Sequence, residues 1–193
     1  MKSRVKRFLA AGVASLGLSV AGCGSIGDSL NSVPNAGPCP VAAVMYDASR
    51  LVEINGEERY SSVGFTGEIT RVEGFCRYTG DNPITMEIEI DFALGRGPTA
   101  QGNEKQYEYF VAVTRRNRAV IEKQIYSFDA DFSKNSDRTT HSERFEGIVI
   151  PRANETISGS NFEVLVGFVL TDEQLAYNRA GKRFRVNAGD SVD

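Results

Sequence analysis

Few residues of this chain could do chemistry: three cysteines, one histidine and a scatter of carboxylates among 193 residues. Cys23 has the most specific setting. It follows Val20-Ala21-Gly22 at the end of an apolar run from Phe8 to Val20, and Lys2, Arg4, Lys6 and Arg7 precede that run with no acid among them. A cationic start, a short apolar core and small residues make up the layout of an export signal. A helix over the run would rise only roughly 20 Å, against a hydrocarbon core of about 30 Å, so residues 1–22 read as a cleaved signal and not as a span. After export, Cys39 and Cys76 face an oxidising compartment, where a leftover pair becomes a disulfide; two buried free thiols are the alternative. A closed zinc site is a poorer reading than either, because two cysteines and one histidine cannot complete four ligands without carboxylates.

The remaining candidates fail on context. Any Ser-His-Asp or Cys-His mechanism must pass through His141, and its setting Thr139-Thr140-His141-Ser142 reads as the edge of a loop, with the imidazole at the surface. Glu87, Glu89 and Asp91 fall about 6.5–7 Å apart on one strand face, a spacing that period two gives any solvated face, so no glycosidase-like pair is inferred. Gly95-Arg96-Gly97-Pro98-Thr99-Ala100 fits G-x-G-x-x-A, but the alternating residues after it exclude the helix a dinucleotide-binding turn requires. No G-x-S-x-G elbow occurs. Asp129, Asp131, Asn135 and Asp137 are an oxygen-rich run that could surround calcium, yet Lys134 stands where a calcium-binding loop needs glycine and no glutamate closes it. We therefore expect no catalytic residue, no metal and no cofactor.

The segment ending Val20-Ala21-Gly22-Cys23 resembles the lipobox of bacterial lipoproteins, over residues 1–23. The resemblance implies that the Cys23 thiol carries a diacylglycerol, that cleavage makes Cys23 the first mature residue, and that its new amino group is acylated too. Two or more chains hold a protein at a membrane where one is marginal. In that family an aspartate directly after the cysteine retains the protein in the inner membrane. Gly24 and Ser25 stand there, which implies the periplasmic face of the outer membrane, with the inner membrane as the alternative.

Residues 23–38 are rich in Gly, Ser, Asn and Pro and read as a flexible tether with a reach of some 20 Å. Loss of residues 1–22 removes four of the 22 Lys and Arg and none of the 25 Asp and Glu, leaving a net charge of −7. That balance disfavours nucleic acid as a partner.

From Cys39 onward, short runs of Val, Ile, Phe and Tyr between turn residues predict strands, and residues 39–188 read as a single all-β domain. Expected strands are Val41–Tyr46; Leu51–Ile54, joined through a type I′ turn at Asn55-Gly56 to Glu58–Val63; and Phe65–Tyr78, with a bulge near Gly74. Ile84 to Leu94 alternates most cleanly, apolar at every second position, as an antiparallel strand with one wet face does. Strands are also expected through Tyr107–Val113, Val120–Phe128, Arg144–Ile150 and Phe162–Leu170, the last apolar on both faces and hence central. Thr171 and Gln174 match a capping box for one short helix that Gly181 would stop, with little to bury. Lys182–Val186 reads as a last edge strand and 189–193 as a frayed tail.

The domain is also similar to β-rich envelope lipoproteins of alphaproteobacterial type, through the runs CPVAAVMYDASRLVEI and VIPRANETISGSNFEVLVGF. The resemblance implies a fold and no activity. The expected fold is an antiparallel two-sheet sandwich of seven to nine strands, immunoglobulin-like or related, with a barrel as the alternative. The expected function is that of a tethered, non-catalytic envelope module whose partners are the membrane, through the anchor, and an envelope protein or cell-wall component. A ligand- or ion-binding module is the alternative, and a hydrolytic enzyme the third reading.

Overall fold

The computed structural model describes residues 37–78, 83–116, 119–133 and 136–183. Cys23 with the 1–22 signal, residues 23–36 of the expected tether, Asn135, and everything from 184 onward lie outside the described residues. Among the described residues the chain runs β1 (Val41–Val44), β2 (Arg50–Ile54), β3 (Val63–Arg77), β4 (Ile84–Arg96), β5 (Glu104–Arg115), β6 (Val120–Asp131), β7 (Arg138–Ile150), β8 (Phe162–Phe168) and α1 (Asp172–Arg179). The strands form two four-stranded sheets, ordered β1-β8-β5-β6 and β2-β3-β4-β7. Each sheet keeps two unclosed edges, so the fold is the expected two-sheet sandwich and not a barrel.

β4 shows how the residues dictate this arrangement. Ile84, Met86, Ile88, Ile90, Phe92 and Leu94 are each at most 3% exposed, while the alternate residues face outward. β4 lies between β3 and β7, antiparallel to both, so its backbone is paired on each side. Opposite it, Tyr107, Tyr109, Val111 and Val113 of β5 and Val164, Val166 and Phe168 of β8 close the core. The Phe92 ring is the hub, 5.1 Å from Tyr109, 4.9 Å from Phe128 and 5.8 Å from Phe168, centroid to centroid. Each such side chain contributes roughly 1.5–3 kcal/mol on full burial.

Several expectations require correction. β1 runs parallel to β8, with Val41 opposite Glu163 and Val44 opposite Val166, whereas an antiparallel pairing was expected. As the first and last strands among the described residues they meet through the rest of the domain, so no local crossover is needed. β2 and β3 form a hairpin, but Asn55 N donates to Ser62 O at 2.7 Å across a longer loop that contains a 3-10 turn at Tyr60–Ser62, not a two-residue turn. The β3 bulge falls at Thr70, between the pairs Ile69–Phe92 and Arg71–Asp91, and not at Gly74. Gly74 is instead a point of close approach: a Cβ there would strike Met86 Cε and come within 2.9 Å of Ala42 Cβ.

The helix has the expected capping box. Thr171 Oγ1 accepts from Gln174 N at 3.2 Å, and Gln174 Oε1 accepts from Thr171 N at 3.0 Å. It buries more than expected, since Tyr177 is buried and the polar face of α1 seals the free edge of β2. Asn178 Nδ2 donates to Arg50 O at 2.8 Å, and Gln174 Nε2 donates to Val52 O at 3.3 Å. Two outward carbonyls of an edge strand are thereby satisfied, one of the ways sheets avoid edge-to-edge pairing. Lys182 and Arg183, where an edge strand was expected to begin, are not in a strand.

Cys39 and Cys76 are bonded, with Cα atoms 5.6 Å apart. The bond joins the segment leading into β1 to the end of β3, and so ties one sheet to the other. Nearby, Tyr78 Oη donates to Pro38 O at 2.7 Å and accepts from Gly159 N at 2.9 Å, which pins the chain before β8 to the same end.

Two outcomes test this architecture. We expect Ile88→Asp to place an unpaired charge in the core and destabilise by more than about 4 kcal/mol, while Glu89→Gln leaves the urea midpoint close to the parent's. Equal shifts would remove β4 from the centre of the fold. The 37-residue separation of the cysteines leads us to expect that Cys39→Ala with Cys76→Ala costs roughly 3–4 kcal/mol, read as a lower urea midpoint at similar slope.

Candidate functional site

Three places bring chemistry-bearing side chains together. The first is the outer face of β4. Arg71 binds Glu89 Oε1 through Nη2 at 2.8 Å, Asp91 Oδ2 through Nε at 2.6 Å and Glu73 Oε2 through Nη1 at 2.9 Å. Glu87 receives Arg144 at 3.3 Å and Arg77 at 3.6 Å. Ser142 Oγ donates to Asp91 Oδ1 at 2.7 Å, and this hydrogen bond, followed by that from Arg71, holds the Asp91 carboxyl below the usual range. Its hydrogen bond to Asp91, then that to Glu73, holds the Arg71 guanidinium more firmly protonated than usual. All three β4 carboxylates are thus matched by cations across β3 and β7. As exposed pairs they contribute little each, and their role is to keep these strands in register.

The second place is the seam where the edge strands β6 and β7 face each other across the sandwich. His141 was expected at a loop edge; it lies within β7, which begins at Arg138, and its ring stacks on Phe128 with centroids 4.0 Å apart and planes at 12°. His141 Nε2 is 2.7 Å from Glu143 Oε1. Both side chains are only about 30% exposed, and Glu143 lies close enough to act on Tyr109. Burial first, then the Glu143 charge, pushes the Tyr109 hydroxyl above its ordinary value. Ser142, adjacent in sequence, cannot act as a nucleophile for this histidine, because strand alternation turns it to the opposite face, onto Asp91.

The third place is a groove of about 1010 Å³ at the other end of the same outer face, with Thr66, Ala93 and Gly95 among its lining. Register explains its floor. Val52, Thr66, Gly95 and Arg138 form one row across four strands, and Arg50, Glu68, Ala93 and Thr140 the next. The two middle strands thus offer short side chains apart from Glu68, and at Gly95 a Cβ would come within 2.5 Å of Thr66 Oγ1. Arg50, Arg96, Arg138, Lys182 and Arg183 line the groove against two acids, Glu68 and Asp137. Arg50 holds Glu68 at 2.8 Å, Arg96 donates to the neutral Asn103 side chain, and Lys182 binds Glu58 at 2.5 Å. Among the described residues no carboxylate pairs with Arg138, and Arg183 donates only to Tyr46 Oη, at 3.4 Å.

The oxygen-rich run is dispersed. Asp129 and Asp131 lie on the exposed side of β6, and the Asp137 carbonyl accepts from Arg96 N at 2.8 Å. No group of three or more His, Cys, Asp or Glu side chains suited to a metal occurs among the described residues. In the Gly95–Ala100 segment, Gly95 and Arg96 end β4 and Gly97–Ala100 open the loop to the other sheet, held by Gly97 N to Gly64 O at 2.6 Å and Thr99 N to Val63 O at 2.9 Å, with strand β5 and no helix after it. Neither the seam nor the groove was foreseen from the sequence. Alternation through Thr139, His141, Glu143 and Phe145 carries the signal for the seam.

No protein-family model, curated protein or solved structure matches the chain. Among the described residues no helix is long and apolar enough to cross a membrane.

The seam has a titration consequence. Tyr109 is neutral in the fold at pH values where an unfolded tyrosine has begun to ionise, so its contribution is complete below about pH 10 and is lost as pH rises from there towards its folded value. Tyr107, buried and facing Glu53, acts in the same direction. We expect the parent's stability to fall above about pH 10, and Tyr109→Phe to flatten that fall in urea titrations across the alkaline range. An unchanged alkaline slope would show that Tyr109 ionises in the fold as it does in the unfolded chain.

Proposed function

We propose that this chain is a lipid-anchored, non-catalytic interaction module of the cell envelope, held by Cys23 at the periplasmic face of the outer membrane. The observation that carries the reading is the Cys39–Cys76 disulfide. A bond of this kind persists in an oxidising compartment and is rare in cytosol, so it agrees with the export signal in a part of the chain independent of it. The sandwich supports the reading too: a domain tied at one end by a disulfide and begun by a short strand just after the spacer suits display on a tether. The chemistry-bearing groups favour binding over catalysis. The β4 carboxylates are engaged by arginines, and the one histidine pairs with Glu143 while its neighbouring serine faces away. The partner in this reading is an envelope protein or cell-wall component.

A second reading, a ligand-binding module, is favoured by the cationic groove, which offers a concave surface with unspent charge.

We expect Cys23→Ser to abolish incorporation of labelled fatty acid and to move the protein from the detergent phase to the aqueous phase on extraction of its own envelope. A variant that still fractionates with membranes as the parent does would overturn the anchor and the location built on it.

A further inference from the structure

We propose that the groove over Thr66, Ala93 and Gly95 binds an acidic oligosaccharide, an inference that deepens the interaction-module reading and rests on it for where the ligand is met. Charge is the first argument. The whole chain carries a net charge of −3, yet five cations line this groove against two acids; Arg50 is matched by Glu68 and Lys182 by Glu58 outside the lining, which leaves Arg96, Arg138 and Arg183 facing Asp137 alone. The guanidiniums of Arg138 and Arg183 have no carboxylate partner among the described residues. Unpaired guanidiniums beside a concave surface present planar donors that match carboxylate geometry.

Spacing decides between anions. Arg138 lies on β7 at one end of the groove, while Arg50, Lys182 and Arg183 border the β2 side, and four strands at about 4.8 Å per step put the ends roughly 14 Å apart. One phosphate cannot reach both ends; a chain with several anionic groups can. The short side chains between leave such a chain room to lie across the strands, and the Thr66 and Thr140 hydroxyls stand in its path as donors and acceptors. Tyr60, half exposed at the rim, offers a ring face to the apolar side of a sugar. A recessed floor with cations at its ends suits a thin polymer better than a bilayer surface, which would meet only the rim.

The test uses the full chain in neutral detergent, titrated calorimetrically with oligogalacturonate, a neutral malto-oligosaccharide of the same length, inorganic phosphate, and phosphatidylglycerol vesicles. The expected result is binding of oligogalacturonate alone, weakening as salt rises. Arg138→Gln and Arg183→Gln should each weaken it roughly tenfold and together roughly a hundredfold, because they act at separate ends. Both side chains are exposed, so thermal unfolding should not move, and Arg77→Gln, at the far end of the same face, should bind as the parent does. Absent binding, equal binding of the neutral sugar, indifference to either arginine variant, or binding confined to phosphate or vesicles would each overturn the proposal. Membrane fractionation of Cys23→Ser is read separately, so the anchor and the groove can fail independently.

Discussion

Burial of one face of β4 is the constraint on which the rest of the structure depends. Its six inward side chains are almost fully removed from water, and a strand can present such a face only if a second layer covers it, which here is another sheet. Sheet β1-β8-β5-β6 supplies that cover with Tyr107, Tyr109, Phe128 and Phe168, packed at ring separations that favour tilted and edge contacts. Because β4 is also paired on both sides, a slip of one residue would expose the whole apolar set and bury Glu87, Glu89 and Asp91. The Arg71 ladder on the wet face opposes the same slip. Its small energy per pair matters less than its dependence on register.

The ends of the sandwich need other means. β1 has only four residues, too few to hold its sheet by pairing alone, and its position is fixed by the covalent link from Cys39 to β3 and by Tyr78 between Pro38 and Gly159. At the opposite side α1 closes the β2 edge with side-chain amides in place of another strand. Among the described residues no strand pairs with the outer edges of β6 and β7. Exposed charges, among them Glu122, Lys123 and Arg144, and the left-handed backbone of Gly147 at a φ of 76° make these edges poor templates for another strand.

What was legible in the sequence was local. Alternation in Ile84–Leu94, the Thr171–Gln174 box and the two leftover cysteines each carry their meaning within a few residues or in residue type, and each holds in the structure. What was not legible depends on pairing between distant strands. The parallel β1–β8 contact joins residues more than a hundred positions apart, and nothing in either strand marks the direction of its neighbour. Glycine is the usual mark of a break, which points to Gly74 and not to Thr70, but this glycine makes room for Met86 on the neighbouring strand and for Ala42 across the core. β7 extends back through His141 because its inward positions are polar or aromatic in place of aliphatic, a pattern that reads as loop until Phe128 is seen beneath the imidazole.

The candidate groove was the least legible feature, and the reason bears on how a solvated sheet face acquires a function. Thr66, Ala93, Gly95, Arg138 and Arg183 are ordinary surface residues when read singly, and their meaning arises only when register sets the small ones side by side and the cations at the rim. One outer face thus carries two electrostatic regimes. Along Arg71, Glu89 and Asp91, opposite charges meet at hydrogen-bonding distance and the field beyond them is small. Over Thr66 and Gly95 the side chains are too short to reach Arg138 or Arg183, so the charge of these two guanidiniums faces the concavity and is screened by solvent and salt. A net-negative chain gains nothing in its fold from leaving Arg138 and Arg183 without a carboxylate among the described residues, where an acid in place of Ala93 would stand between them. The arrangement is intelligible as a surface kept open for an anionic partner.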